Sequence, residues 1–143
     1  MSTLEDLKVG IISISDSETE MLASKLASQI PKDLTLALYG ELGSGKTTFI
    51  RGLAKAWKIK EPVTSPTYNI LAIYHGERTL LHLDAFRLEN QCEVEGLMID
   101  EFLSSPYCLA IEWPEKLGNS LSETCWKLKL EILDKSKRFI QIL

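Results

Sequence analysis

The chain has 143 residues, of which 45% are hydrophobic and 25% charged, with a formal net charge of −4 and a pI near 5.2. Those values fit one ordinary soluble globular domain with a sizeable core, and no apolar run is long enough to cross a bilayer. The acidic balance excludes a global attraction for a polyanion, so any nucleic acid is expected to arrive through a partner.

The acidic opening residues 1–6 lack the basic and apolar regions of an export signal, which sets the expectation of a cytoplasmic protein. Cys92, Cys108 and Cys125 are widely spaced and form no C-x-x-C pair. They are expected to be buried thiols in a reducing compartment, not a zinc site.

In chain order, residues 9–14 are rich in β-branched side chains and predict a first strand. Ser17-Glu18-Thr19-Glu20 has the pattern of a capping box, opening a helix with apolar positions Leu22, Leu26 and Ile30 that Pro31 ends. Residues 34–39 form a continuous apolar run, the mark of a strand covered on both faces. Gly40-Glu41-Leu42-Gly43-Ser44-Gly45-Lys46-Thr47 follows and fits the phosphate-binding pattern G-x-x-x-x-G-K-[ST]. Its glycines let consecutive N–H groups turn inward on an anion. Lys46 brings a charge to the β- and γ-phosphates, and the Thr47 hydroxyl suits Mg²⁺. From Thr48 a helix is expected to run to Trp57, its positive end toward the phosphates. Strand before and helix after are the setting this motif requires, so the chain is expected to bind a nucleoside triphosphate.

Two prolines keep residues 61–67 from being helical. Short β runs at 68–74 and 79–84, separated by four residues, predict a hairpin. A helix is expected over 93–103 and a buried strand over 107–112, closed by Trp113-Pro114. Toward the end Trp126, Leu128, Leu130 and Ile132 alternate with Lys127, Lys129 and Glu131, and residues 138–143 predict a last strand. The pattern describes one α/β domain over residues 1–143 with a mixed parallel and antiparallel sheet.

Phosphate chemistry also needs an acid to organise Mg²⁺ and a group to position the attacking nucleophile. Acids at the C-terminal ends of buried strands are suited to this, and Asp84 and Glu112 both stand there. Ser65-Pro66-Thr67 offers hydroxyls that could sense a γ-phosphate, as switch loops do, and equally reads as an ordinary turn. Arg87 either pairs with Asp84 or reaches phosphate or a partner, or is simply solvated. His82 alternates with Leu81 and Leu83 and is read as a hydrogen-bonded structural histidine, not a general base. Trp113 either stacks on a ring or plugs the edge of the domain.

In this order the pieces resemble the TsaE (YjeE) family over nearly the whole chain. The loop through Thr48 resembles its G-D-L-G-A-G-K-T-T, and Ser65-Pro66-Thr67-Tyr68 its S-P-T-[FY]. His82-Leu83-Asp84-Ala85-Phe86-Arg87-Leu88 resembles H-x-D-x-Y-R-L, Ile111-Glu112-Trp113-Pro114-Glu115 resembles I-E-W-x-E, and Ser17-Glu18-Thr19 approximates its N-terminal S-x-x-T. Glu41 for Asp and Ser44 for Ala are mild departures, whereas Phe86 for Tyr removes a hydroxyl. The resemblance implies a P-loop NTPase-like three-layer fold, ATP with Mg²⁺, and weak, partner-stimulated hydrolysis. It also implies association with the TsaB–TsaD pair in tRNA threonylcarbamoyladenosine synthesis, with tRNA met only through that complex and no membrane involved.

On this reading the nucleotide set is Glu41, Leu42, Gly43, Ser44, Gly45, Lys46, Thr47 and Thr48, with Ser17, Thr67, Arg87 and Trp113 around it. Lys46, Asp84 and Glu112 carry the chemistry. Thr47 with Glu112 or Asp84 holds the metal, Glu112 being preferred there and Asp84 for water positioning or coupling. Rival classes are a small-molecule kinase and a non-catalytic assembly switch. A kinase normally adds an arginine-bearing lid, yet only Arg51, Arg78, Arg87 and Arg138 follow the loop, in no cluster.

Overall fold

Two serines start the first two helices of the computed structural model, which describes residues 2–65 and 70–143. Ser2 and Glu5 form a capping box at the head of α1 (Thr3–Val9). Gly10, with φ of +114°, closes that helix through its N–H on the Asp6 carbonyl. The strand expected from residue 9 is therefore short, β1 (Ile11–Ser13). Ser15, not Ser17, caps α2 (Asp16–Ala27), accepting the Glu18 N–H at 3.1 Å. Ser17 lies inside the first turn, and the helix stops at Ser28, before Pro31 is reached.

The next elements match the sequence pattern closely. β2 (Leu34–Tyr39) runs into the glycine-rich loop, and α3 (Lys46–Ala56) leaves it. β3 (Leu71–His75) and β4 (Thr79–Asp84) form the expected antiparallel hairpin. The start expected for β3, at residues 68 and 69, lies outside the described residues. One helix expected over 93–103 is instead α4 (Gln91–Gly96) and a 3₁₀ turn (Ile99–Phe102), broken at Gly96 and at Met98, whose φ is +50°. β5 (Tyr107–Glu112) spans the expected residues. A 3₁₀ segment (Pro114–Ser120) follows, then the hairpin β6 (Trp126–Ile132) and β7 (Arg138–Ile142). Leu128 and Leu130 are buried, but Ile132 is 43% exposed because the sheet ends beside it. Of the cysteines only Cys108 is buried; Cys92 is exposed and Cys125 half-buried, against the expectation for all three.

One seven-stranded sheet results, in the order β1-β7-β6-β2-β5-β4-β3. Its four central strands, β6, β2, β5 and β4, are parallel, while the flanking pairs are antiparallel. The sheet is mixed, as expected. Leu36, Leu38, Leu80 and Ala110 face α2 and α3 in the larger core with Phe49, Ile50 and Leu53. The alternate positions Leu81, Leu83, Leu109 and Ile111 form a second core with Leu88 and Leu117. Helices thus cover both faces, and the buried parallel strands read as apolar runs for that reason. Because β2 lies between β5 and β6, whatever leaves the end of β2 is flanked by the ends of both.

Candidate functional site

The loop after β2 is shaped by its glycines. Gly45 takes φ of +100° at the cap of α3, a conformation side chains other than glycine rarely adopt. A Cβ on Gly40 would sit 2.4 Å from the Ser44 Oγ and 2.7 Å from the Leu130 carbonyl, so only glycine lets the loop fold back there. The Ser44 N–H donates to the Glu41 carbonyl at 3.0 Å, closing a turn across the apex. Glu41, Leu42 and Gly43 are exposed, whereas Ser44 and Lys46 point inward and are buried. Thr47 and Thr48 lie half-buried in the first turn of α3, where N–H groups lack helical acceptors.

Lys46 Nζ donates to the Gly40 carbonyl and lies 3.9 Å from the centre of the Trp113 ring. Burial lowers its pKa, and the nearby charges of Glu112, Glu115 and Asp84 only partly restore it. Trp113 holds this place with φ of +58° and packs against Phe86, the ring centres 5.0 Å apart. One face of Trp113 thus covers the loop lysine, a role other than the two left open for it.

Beneath the loop lies a chain of three side chains from three elements. Thr47 Oγ1 donates to Glu112 Oε2 at 2.7 Å, and the same carboxylate oxygen is 2.6 Å from His82 Nε2. Glu112 is 5% exposed and His82 is fully buried. Burial is the strongest single influence on Glu112 and would raise its pKa. The hydrogen bond and charge of His82, the Thr47 hydroxyl and Lys46 together outweigh it and hold the carboxyl below its ordinary range. Glu112 is therefore kept as an anion in a nearly dry place. His82 is hydrogen-bonded, as its alternation suggested, but its partner is the site's own carboxylate. Its position two residues before Asp84 gave it the same parity on β4 as that acid, but no signal in the sequence paired it with Glu112.

Asp84 stands opposite Glu112 in the β4–β5 register, at the same sheet end. It makes different contacts: Oδ1 accepts the Phe86 N–H at 3.0 Å, and Oδ2 the Ser65 hydroxyl at 3.3 Å. One acid is thus bound to the helix after the loop and the other to the segment before residue 66. Arg87 is exposed on the turn that follows Asp84. Ser17 is exposed on the first turn of α2, and among the described residues no hydrogen bond joins its side chain to the loop. Thr67 lies outside the described residues.

A hydroxyl and a carboxylate offer hard oxygen ligands of the kind that suit Mg²⁺. A buried lysine, the first-turn N–H groups of α3 and the Ser44 Oγ, which is buried without a partner among the described residues, suit phosphate oxygens. The residues present fit an Mg²⁺-bound nucleoside polyphosphate. A cavity of about 610 Å³ lies elsewhere: Asp33, Met98, Leu103, Leu117 and Leu121 line it, none of them in the phosphate loop.

Residues 13–140 match the family model described as threonylcarbamoyl adenosine biosynthesis protein TsaE. The TsaE protein of Treponema pallidum is 31% identical over 131 residues, which cover 92% of this chain and 97% of that protein. That of Aquifex aeolicus is 35% identical over 136 residues, covering 92% and 93%. Among solved structures, Bacillus subtilis YdiB superposes with a TM-score of 0.76 at 25% identity, over 93% of this chain and 82% of that one.

Proposed function

Since the chain belongs to the TsaE family of tRNA threonylcarbamoyladenosine biosynthesis, we propose that it is the ATP-binding, Mg²⁺-dependent ATPase component of that machinery, slow alone and stimulated by TsaB and TsaD. One observation carries the reading: the Thr47–Glu112–His82 chain set directly below a loop built for phosphate.

Backbone N–H groups from Glu41 to Lys46, apart from that of Ser44, which the Glu41 carbonyl holds, would cradle the phosphates, and Lys46 would give its ammonium to the β- and γ-oxygens in place of the Gly40 carbonyl. The Thr47 hydroxyl and the Glu112 carboxylate would hold Mg²⁺, which when bound would supply positive charge against the phosphates. Trp113 keeps water from Lys46 on one side. Asp84 orients the attacking water or relays nucleotide state through Ser65, since it is tied to the segment before residue 66 and not to Thr47. The acidic surface of the chain agrees with tRNA being carried by the complex.

Calorimetry and phosphate release with the full partner set test this. Lys46→Ala should abolish measurable ATP binding. Asp84→Ala and Glu112→Ala should still bind ATP and lose turnover on the order of a hundredfold. Parent-like hydrolysis in both carboxylate variants would overturn the assignment. No release above background in the parent would favour a switch that works by assembly alone.

A further inference from the structure

The apex of the phosphate loop is almost unpacked. Leu42 is 81% exposed, and a Cβ placed on Gly43 would meet no atom within 4 Å. Ser44 is buried, but the space beside Gly43 is open, so the Gly43 side of their peptide is fixed by hydrogen bonds and not by packing. Its N–H side is held by the Glu41 carbonyl at 3.0 Å. Its carbonyl side is held from far along the chain: Arg138 Nη2 donates to the Gly43 oxygen at 3.1 Å.

The other terminal nitrogen of that guanidinium faces the turn between β6 and β7. The two hydrogens of Nη1 are shared among three carbonyls, those of Asp134 at 2.8 Å, Lys137 at 3.0 Å and, longest, Lys135 at 3.4 Å. The turn is itself braced, because the Asp134 carboxylate accepts the N–H groups of Ser136 and Lys137, both at 3.0 Å. Those two bonds hold the Asp134 carboxyl below its ordinary range. A rigid turn thus presents its carbonyls to one charged fork, which has a donor left over for the phosphate loop. Hydrogen bonds from charged donors are the stronger kind, and the planar fork makes several at fixed angles. The other arginines whose contacts are described serve the scaffold: Arg51 reaches Glu20 and the Val63 carbonyl, and Arg78 the carbonyls of Ile30 and Pro31.

We propose that Arg138 is a positioning residue for nucleotide binding, bracing the Gly43–Ser44 peptide against the β6–β7 turn so that the loop is shaped before phosphate arrives. The proposal rests on the reading of the loop as a nucleotide site, but the brace itself can be tested without nucleotide.

Amide proton exchange by NMR in the nucleotide-free protein is compared for the parent, Arg138→Ala, Arg138→Lys and Lys135→Ala. Exchange at Gly43 and Ser44 should rise about tenfold in Arg138→Ala, while amides of β2 such as Leu36 keep their parent rates. A general loss of structure would raise both sets. Calorimetry with Mg·ATP should show affinity about tenfold weaker in Arg138→Ala, an intermediate loss in Arg138→Lys, and none in Lys135→Ala. Parent-like exchange at Ser44, or affinity within twofold of the parent, overturns the proposal. Should Arg138→Ala melt far below the parent, Arg138→Lys decides by the same two readings, because it keeps the charge but cannot brace four carbonyls. A parent that binds neither ATP nor ADP defeats the nucleotide reading, and the exchange data still judge the brace.

Discussion

At the scale of single residues, the site depends on keeping an anion buried. Glu112 is stabilised by three partners at once, among them His82, whose Nε2 meets Glu112 while its Nδ1 is buried without a partner among the described residues. Histidine 82 to alanine, His82→Ala, would leave a cavity and a carboxylate with one fewer donor. Urea denaturation should show a loss of about 3 kcal/mol, the usual cost of removing one member of a buried pair. A loss below about 1 kcal/mol would mean that water takes over the role of the imidazole. The importance of His82 was only half legible. Alternation on its strand placed it on the face away from Leu81 and Leu83, but nothing in the spacing named Glu112 as its neighbour.

At the scale of elements, the two helices that back the phosphate loop cross closely because one of them carries Gly52. A Cβ there would stand 2.3 Å from the Glu20 carbonyl and 2.7 Å from the Ala23 Cβ. Backbone must move to admit it, so Gly52→Ala should destabilise by about 2 kcal/mol even though alanine is the better helix former. Thermal unfolding measures this, and a raised melting temperature would show that α2 and α3 part without cost. The elements themselves were read well where one period ran uninterrupted, as in β2, β4 and β5. They were misread where local backbone chemistry cut across the pattern. Gly10 closes an unforeseen α1, Ser15 takes the cap assigned to Ser17, and Met98 breaks the helix expected after residue 93. These are hydrogen-bond and left-handed-backbone events, which hydrophobic periodicity does not register.

For the whole molecule, strand order decides what meets the loop. β2 is flanked by β5 and β6, so Glu112 reaches the loop from one side and the β6–β7 turn from the other. Ligands in open α/β sheets gather at such strand ends. The chain as a whole carries a formal net charge of −4, which argues against a strong grip on RNA. The isolated chain should therefore bind tRNA more weakly than about 100 µM at physiological salt. A tight complex in filter binding, with a steep salt dependence, would transfer part of the tRNA recognition to this chain.

The sequence alone determined the phosphate loop, its strand and its helix, because eight consecutive residues set that geometry through glycine conformations and backbone N–H groups. It also placed Asp84 and Glu112 at strand ends, since an apolar run closed by an acid is a local pattern. Only the tertiary structure decided that Glu112, and not Asp84, joins Thr47, that His82 supports it, and that Arg138 touches Gly43. Those partners lie 65, 30 and 95 residues apart. Side-chain alternation says which face a residue occupies, while strand order, set by packing the entire sheet, says which residue stands beside it.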